Sequence, residues 1–158
     1  MTASFSPTGE ILGVAACSNS SANGELLLYR TPNLQKVAGP RADSVVTSLA
    51  FTPGGSLLFA GGYDGTVRVV ETQHFSLIAT LFRSSRGEWV VFTPDGLYDA
   101  STDGARLLGW RMKGQIVSAS KLPEMRQPGL LSMLVAGKRP KPDRPLGPFF
   151  SNALSPNH

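Results

Sequence analysis

Apolar and polar positions alternate over short distances along most of this chain. Thr66-Val67-Arg68-Val69-Val70 alternates, Val45-Val46-Thr47-Ser48-Leu49-Ala50-Phe51 is rich in β-branched and apolar residues, and Ser56-Leu57-Leu58-Phe59-Ala60 is a short apolar run. Each is bounded by turn-forming residues, which predicts short strands. The punctuation recurs. Phe5-Ser6-Pro7-Thr8-Gly9 returns as Phe51-Thr52-Pro53-Gly54-Gly55 and as Phe92-Thr93-Pro94-Asp95-Gly96, at spacings of 46 and 41. Asn23-Gly24, Asp64-Gly65 and Asp103-Gly104 follow at spacings of 41 and 39, and Tyr29, Val70 and Trp110 at 41 and 40. Three agreeing registers mark an internal repeat of about 40 residues, written three times.

Each repeat contains two turns with separate chemistry. In Phe-Ser/Thr-Pro-x-Gly the proline presets φ and the glycine (Gly9, Gly55, Gly96) supplies the positive φ that other residues resist. Asp-Gly or Asn-Gly is a strong hairpin signal, so Gly24, Asp64, Gly65, Asp103 and Gly104 are expected turn formers. A fourth run closes each unit, at Leu34 to Val37, Phe75 to Leu81 and Ile116 to Ala119. The expected fold is all-β, three four-stranded antiparallel meanders.

Residues 46–71, from Val46-Thr47-Ser48-Leu49-Ala50-Phe51 to Asp64-Gly65-Thr66-Val67-Arg68-Val69-Val70-Glu71, resemble a WD40 repeat. The resemblance extends over roughly residues 2–120 and implies blades of a β-propeller and a role in binding other proteins, without catalysis. Departures are visible. No Gly-His pair opens a repeat, and the closing Trp-Asp reads Tyr29-Arg30, Val70-Glu71 and Trp110-Arg111. The His–Asp network that the family implies therefore lacks its histidine, and Asp64 and Asp103 are left as turn formers. A narrower resemblance, carried by Gly87-Glu88-Trp89-Val90-Val91-Phe92-Thr93-Pro94-Asp95-Gly96-Leu97-Tyr98-Asp99-Ala100-Ser101, Arg126 to Leu131 and Ala136 to Pro140, is to the last blade and linker of bacterial proteins in which WD40 repeats precede a caspase-like peptidase. It implies a place in a longer architecture and makes the regulatory propeller portion of such a peptidase the alternative function.

Propellers close with four to eight blades so that no long sheet edge stays open. Three blades in residues 1–120 are too few for a ring, so either the chain is a piece of a larger propeller, or copies assemble to complete one; the start of the first repeat almost at Met1 favours the piece. The segment 121–138 holds one short helix, with Pro128 near its first turn, apolar Leu130, Leu131, Met133, Leu134 and Val135, and Gly137 at its stop. Too short to persist alone, it is expected to dock near Trp110 and the Ile116–Ala119 strand. Residues 139–158 form a proline-rich linker or tail.

Composition narrows the chemistry. Gly and Pro together are 29 of 158 residues, below the level of a low-complexity chain, and the single Cys17 excludes an intramolecular disulfide framework. Up to Arg111 there are 8 basic and 9 acidic residues, and beyond it 7 basic and 2 acidic, so the net charge of +4 sits in the tail. Nucleic-acid binding through that tail is a third, weaker reading. Cys17, the one thiol that could pair with His74 or His158 for catalysis, ends the apolar run Leu12 to Ala16 and reads as a small buried side chain; the two His and one Cys are too far apart for a metal site, and no cofactor is expected. Asp99 to Gly104 starts like a calcium loop, but Trp110 stands where its bidentate Glu belongs. Trp89 and Trp110 are expected in the core. No apolar run reaches membrane-spanning length and no signal peptide precedes the repeats, so a cytoplasmic location is expected. Contacts with a protein partner are expected from loops, with Arg41, Tyr63, Arg83 and Arg86 the residue types that dominate interfaces.

Overall fold

A computed structural model describes residues 2–17, 24–37, 39, 44–112 and 114–143. It divides into two units, Met1–Ile78 and Ala79–His158. The fold is all-β, built of antiparallel, blade-like meanders with one short α-helix.

In the first unit, β1 (Thr2–Phe5), β2 (Ile11–Cys17), β3 (Gly24–Arg30) and β4 (Gln35–Val37) form a four-stranded sheet in sequence order. Ala15↔Leu26 and Leu28↔Val37 are register pairs. Period-two alternation puts Ile11, Gly13, Ala15, Leu26 and Leu28 on a buried face. The second meander begins with β5 (Val46–Phe51), β6 (Leu57–Gly62) and β7 (Thr66–Glu71), and a register shift bends β5 between Val46 and Ser48. The two sheets close over one core of Ala15, Leu26, Leu28, Val46, Leu58, Ala60 and Val70. At Gly13 a Cβ would meet Leu49, Leu58 and Leu28 at 3.4–3.6 Å, ordinary contact distance within this core.

The Phe-Ser/Thr-Pro-x-Gly turns are built on one plan three times, the third a residue shorter. The Ser6, Thr52 and Thr93 hydroxyls each accept from the backbone N–H of the residue that opens the next run, Ile11, Leu57 and Leu97, at 3.1 Å in all three. The Gly9, Gly55 and Gly96 amides bond back to the carbonyls of those hydroxyl residues at 2.8–3.0 Å. The glycines take φ values of +73°, +71° and +104°. The sequence marked the proline and the glycine; the hydroxyl that caps the following strand was the part it did not single out.

β8 (Ser76–Arg83) contains the point where one unit ends and the next begins. In the second unit its distal half pairs with β9 (Trp89–Phe92), which pairs with β10 (Tyr98–Ala100); among the described residues β11 (Gly109–Met112) pairs with β12 (Gln115–Ser118) alone. The third repeat is therefore split between two sheets, where the spacing predicted one four-stranded meander. The cause lies at Asp103-Gly104. In place of a hairpin turn, Asp103 precedes a 3-10 turn over Gly104–Leu107. A Cβ on Gly104 would stand 2.0 Å from the Trp89 carbonyl oxygen, so the glycine permits a backbone contact. Ala105 and Leu108 then turn inward with Tyr98, Trp110, Ala119 and Met125 into a second core. The Tyr98 ring lies 5.5 Å from that of Trp110, and its hydroxyl donates to the Ala119 carbonyl at 2.8 Å. Burial of this hydroxyl pushes its pKa above 10.0.

The helix α1 (Leu130–Val135) buries Leu130 and Leu134. Its end is a Schellman motif, with Gly137 N–H to Leu134 O at 3.1 Å, Lys138 N–H to Met133 O at 2.9 Å and Gly137 at φ +80°. Docking beside Trp110 and the Ile116–Ala119 strand is not what occurs. The helix packs on β9 and β10, while Ile116 remains 75% exposed. The deciding contact is the buried Asp99 carboxylate on β10, which accepts from the Gly129 amide at 2.8 Å and lies 3.5 Å from Arg126 Nε. Gln127 N–H to Tyr98 O at 2.7 Å lays the same segment along β10.

Candidate protein-interaction site

The β8–β9 hairpin brings two of the expected contact residues together. Arg83 and Trp89 are a directly opposed cross-strand pair, and the five intervening residues are closed by Ser84 N–H to Glu88 O at 2.8 Å and Gly87 N–H to Ser84 O at 3.1 Å. Gly87 takes φ +90°, and the Arg83 guanidinium lies 3.7 Å from where its Cβ would be. Arg86, at the tip, is exposed. Trp89 is the correction here. The sequence placed it in the core, but it is 41% exposed at the start of β9 beside Arg83, although Val91, on the same side of the strand, is buried. The hairpin stem is held rigid, with Trp89 N–H donating to Ser101 Oγ at 3.0 Å and the Ser101 hydroxyl donating to Glu88. An exposed tryptophan next to two arginines on a fixed hairpin is the residue composition of a binding hot spot.

Tyr63 lies in the first unit, on the turn between β6 and β7, and is 84% exposed. Its backbone is tied down by Tyr63 N–H to Val45 O at 2.8 Å and Asp64 N–H to Ser44 Oγ at 3.2 Å. Beneath it, Asp64 Oδ1 accepts from the Thr66 amide at 3.0 Å and the Thr66 hydroxyl at 2.7 Å, and Asp64 Oδ2 pairs with Arg68 Nη2 at 3.0 Å. Burial works against the ionised carboxyl, but the two Thr66 bonds and the Arg68 charge outweigh it and hold the Asp64 pKa below 3.8. Thr66 and Arg68 thus partner the Asp64 carboxylate, which the sequence alone marks only as a turn former. Arg41 lies outside the described residues.

His74 is exposed and pairs with Glu71 at 2.9 Å. Among the described residues no group of three or more His, Cys, Asp or Glu is arranged to hold a metal ion, and no helix is long and apolar enough to cross a membrane.

Residues 33–71 match the WD40 family profile, described as WD domain, G-beta repeat. That segment contains β4, β5, β6 and β7, so the sequence repeat starts on the last strand of one sheet and continues through three strands of the next. No curated protein sequence matches the chain. Among solved structures, it is similar to a chain of hydrazine synthase from Kuenenia stuttgartiensis, with a TM-score of 0.42 and 13% identity over 78% of this chain. The present chain covers 46% of that one, less than half its length.

Proposed function

We propose that this chain is a WD40-type scaffold segment, a piece of a larger propeller, that binds a protein partner through turns at its strand ends, with the β8–β9 hairpin as the main contact. The single observation that carries the reading is the outward Trp89 opposed to Arg83, with Arg86 at the tip. Aromatic and arginine side chains on a preformed turn lose little conformational freedom on binding, so they contribute more than the surrounding polar rim. Tyr63 offers a second exposed aromatic on a braced turn. A place beside a caspase-like peptidase domain rests on the sequence resemblance of residues 87–101 and 126–140, and the genomic neighbourhood of the coding sequence tests it.

The experiment is paired affinity capture with the parent chain, Trp89→Ala and Arg86→Ala, each checked for parental folding by circular dichroism. One protein held by the parent and lost by about tenfold or more with Trp89→Ala supports the hairpin as the contact. Equal capture by all three overturns it.

A further inference from the structure

The side of β9 that faces away from the second core is covered over only part of its length. Leu81, Val91 and Asp99 stand in register across β8, β9 and β10. Two residues further along, alternation puts Arg83, Trp89 and Ser101 on the same side. Asp99 holds the Gly129 amide at 2.8 Å, which lays α1 over the first of these rows, and Val91 is 2% exposed there. The cover ends before the second row, which leaves Trp89 open beside Arg83, with Arg86 at the adjoining tip.

The charges on this ledge are unanswered. Elsewhere in the fold Arg68 pairs with Asp64, Arg106 with Asp103 and Arg126 with Asp99. Among the described residues Arg83 and Arg86 make no ion pair, and the one carboxylate of the hairpin, Glu88, accepts from the Ser101 hydroxyl instead.

The spacing of these groups says what complements them. A guanidinium offers a planar fork of donors that matches both oxygens of a carboxylate, and the Trp89 indole offers a flat apolar surface one strand away, about 4.8 Å across the ladder. An extended peptide rises about 3.3 Å per residue, so an Asp or Glu within two positions of an apolar residue reaches Arg83 while the apolar group lies on Trp89. A second acid further along reaches Arg86. Two cations on a short hairpin suit discrete carboxylates, whereas a nucleic-acid backbone calls for a longer basic track, and the chain up to Arg111 holds 8 basic and 9 acidic residues. We infer that the β8–β9 hairpin takes an acidic, extended peptide segment of its partner, with carboxylates on Arg83 and Arg86 and an apolar side chain on Trp89; this rests on the hairpin being the contact proposed above.

Random dodecapeptides displayed on phage test it, selected on the parent chain and counter-selected on Trp89→Ala, with the recovered sequences made as labelled peptides and titrated by fluorescence anisotropy. Peptides that depend on Trp89 should carry two or more Asp or Glu beside an apolar residue. Arg83→Gln and Arg86→Gln, each with parental circular dichroism, should each weaken their binding by about tenfold, and added NaCl should weaken binding to the parent more than to the Arg83→Gln/Arg86→Gln chain. Trp89-dependent peptides with no enrichment in acidic residues, or indifferent to both arginine substitutions, overturn the inference while the hairpin stays the contact. So does tighter binding of random single-stranded DNA that is lost with the same substitutions, which assigns the ledge to nucleic acid. If no Trp89-dependent peptide is recovered, the inference falls; the hairpin reading falls with it only where affinity capture is also indifferent to Trp89→Ala.

Discussion

At the scale of single residues, the chain depends on a few positions whose identity follows from backbone conformation or from one buried charge. Gly65 takes φ +75° between Asp64 and Thr66, where a β-branched side chain is strained. Gly65→Val is therefore expected to cost about 1–3 kcal/mol, read as a fall in melting temperature, and an unchanged melting temperature would contradict the turn. Asp64 makes a pH prediction. Its folded pKa lies below 3.8, so the stability from its bonds to Thr66 and Arg68 is present above that value and is lost as pH falls through 3.8 toward the folded pKa. The melting temperature of the parent should fall more steeply across this interval than that of Asp64→Asn, which carries no titrating group there. Parallel curves for the two would remove Asp64 from the acid response.

At the scale of elements, the tail helix shows how a marginal segment is fixed by one partner. Six residues are too few for an isolated helix, and α1 persists through its Schellman end, the burial of Leu130 and Leu134, and the attachment of Gly129 and Arg126 to Asp99. Asp99→Ala leaves the Gly129 amide without its carboxylate and is expected to destabilise the docked helix by about 1–3 kcal/mol. Leu134→Asp, which places a charge at a site that is 2% exposed, should release it altogether. Both are read by amide hydrogen exchange over residues 130–138, where protection should drop while residues 57–71 keep theirs. Retained protection in Leu134→Asp would mean that the helix is held by something other than its buried face. The helix pattern itself was legible in the apolar spacing of Leu130, Leu131 and Leu134 and in Gly137. Its docking site was not, because Asp99 acts across thirty residues and reads in the sequence only as part of a turn.

At the scale of the whole molecule, the two units have separate cores, one around Leu28, Leu58 and Val70 and the other around Tyr98, Leu108 and Trp110. Leu58→Ala, at 0% exposure, should cost about 2–5 kcal/mol and lower exchange protection first within residues 2–78. Leu108→Ala should lower it first within residues 79–143. If either substitution reduced protection equally throughout, the chain would unfold as one cooperative body and the division would have no energetic meaning.

The all-β class, the repeat and most strand positions could be read from the sequence because they are local properties. Period-two alternation, a proline that presets φ and a glycine that tolerates φ +71° act within a few residues and need no partner to be recognised. The candidate site was legible only in part. Arg83 and Arg86 were singled out by type, whereas Trp89 was assigned to the core because hydrophobicity alone does not say where along a strand the cover of a face ends: Val91, on the same side of β9, is buried and Trp89 is not. Tertiary structure decided that, and it decided three further things for the same reason. Asp99 holds the Gly129 amide, Gly104 meets the Trp89 carbonyl and splits the third repeat, and the β1–β4 sheet has one face packed on the second meander. Each depends on which segments meet in space, and segments distant along the chain are brought together by burial of the two cores, which no local pattern encodes.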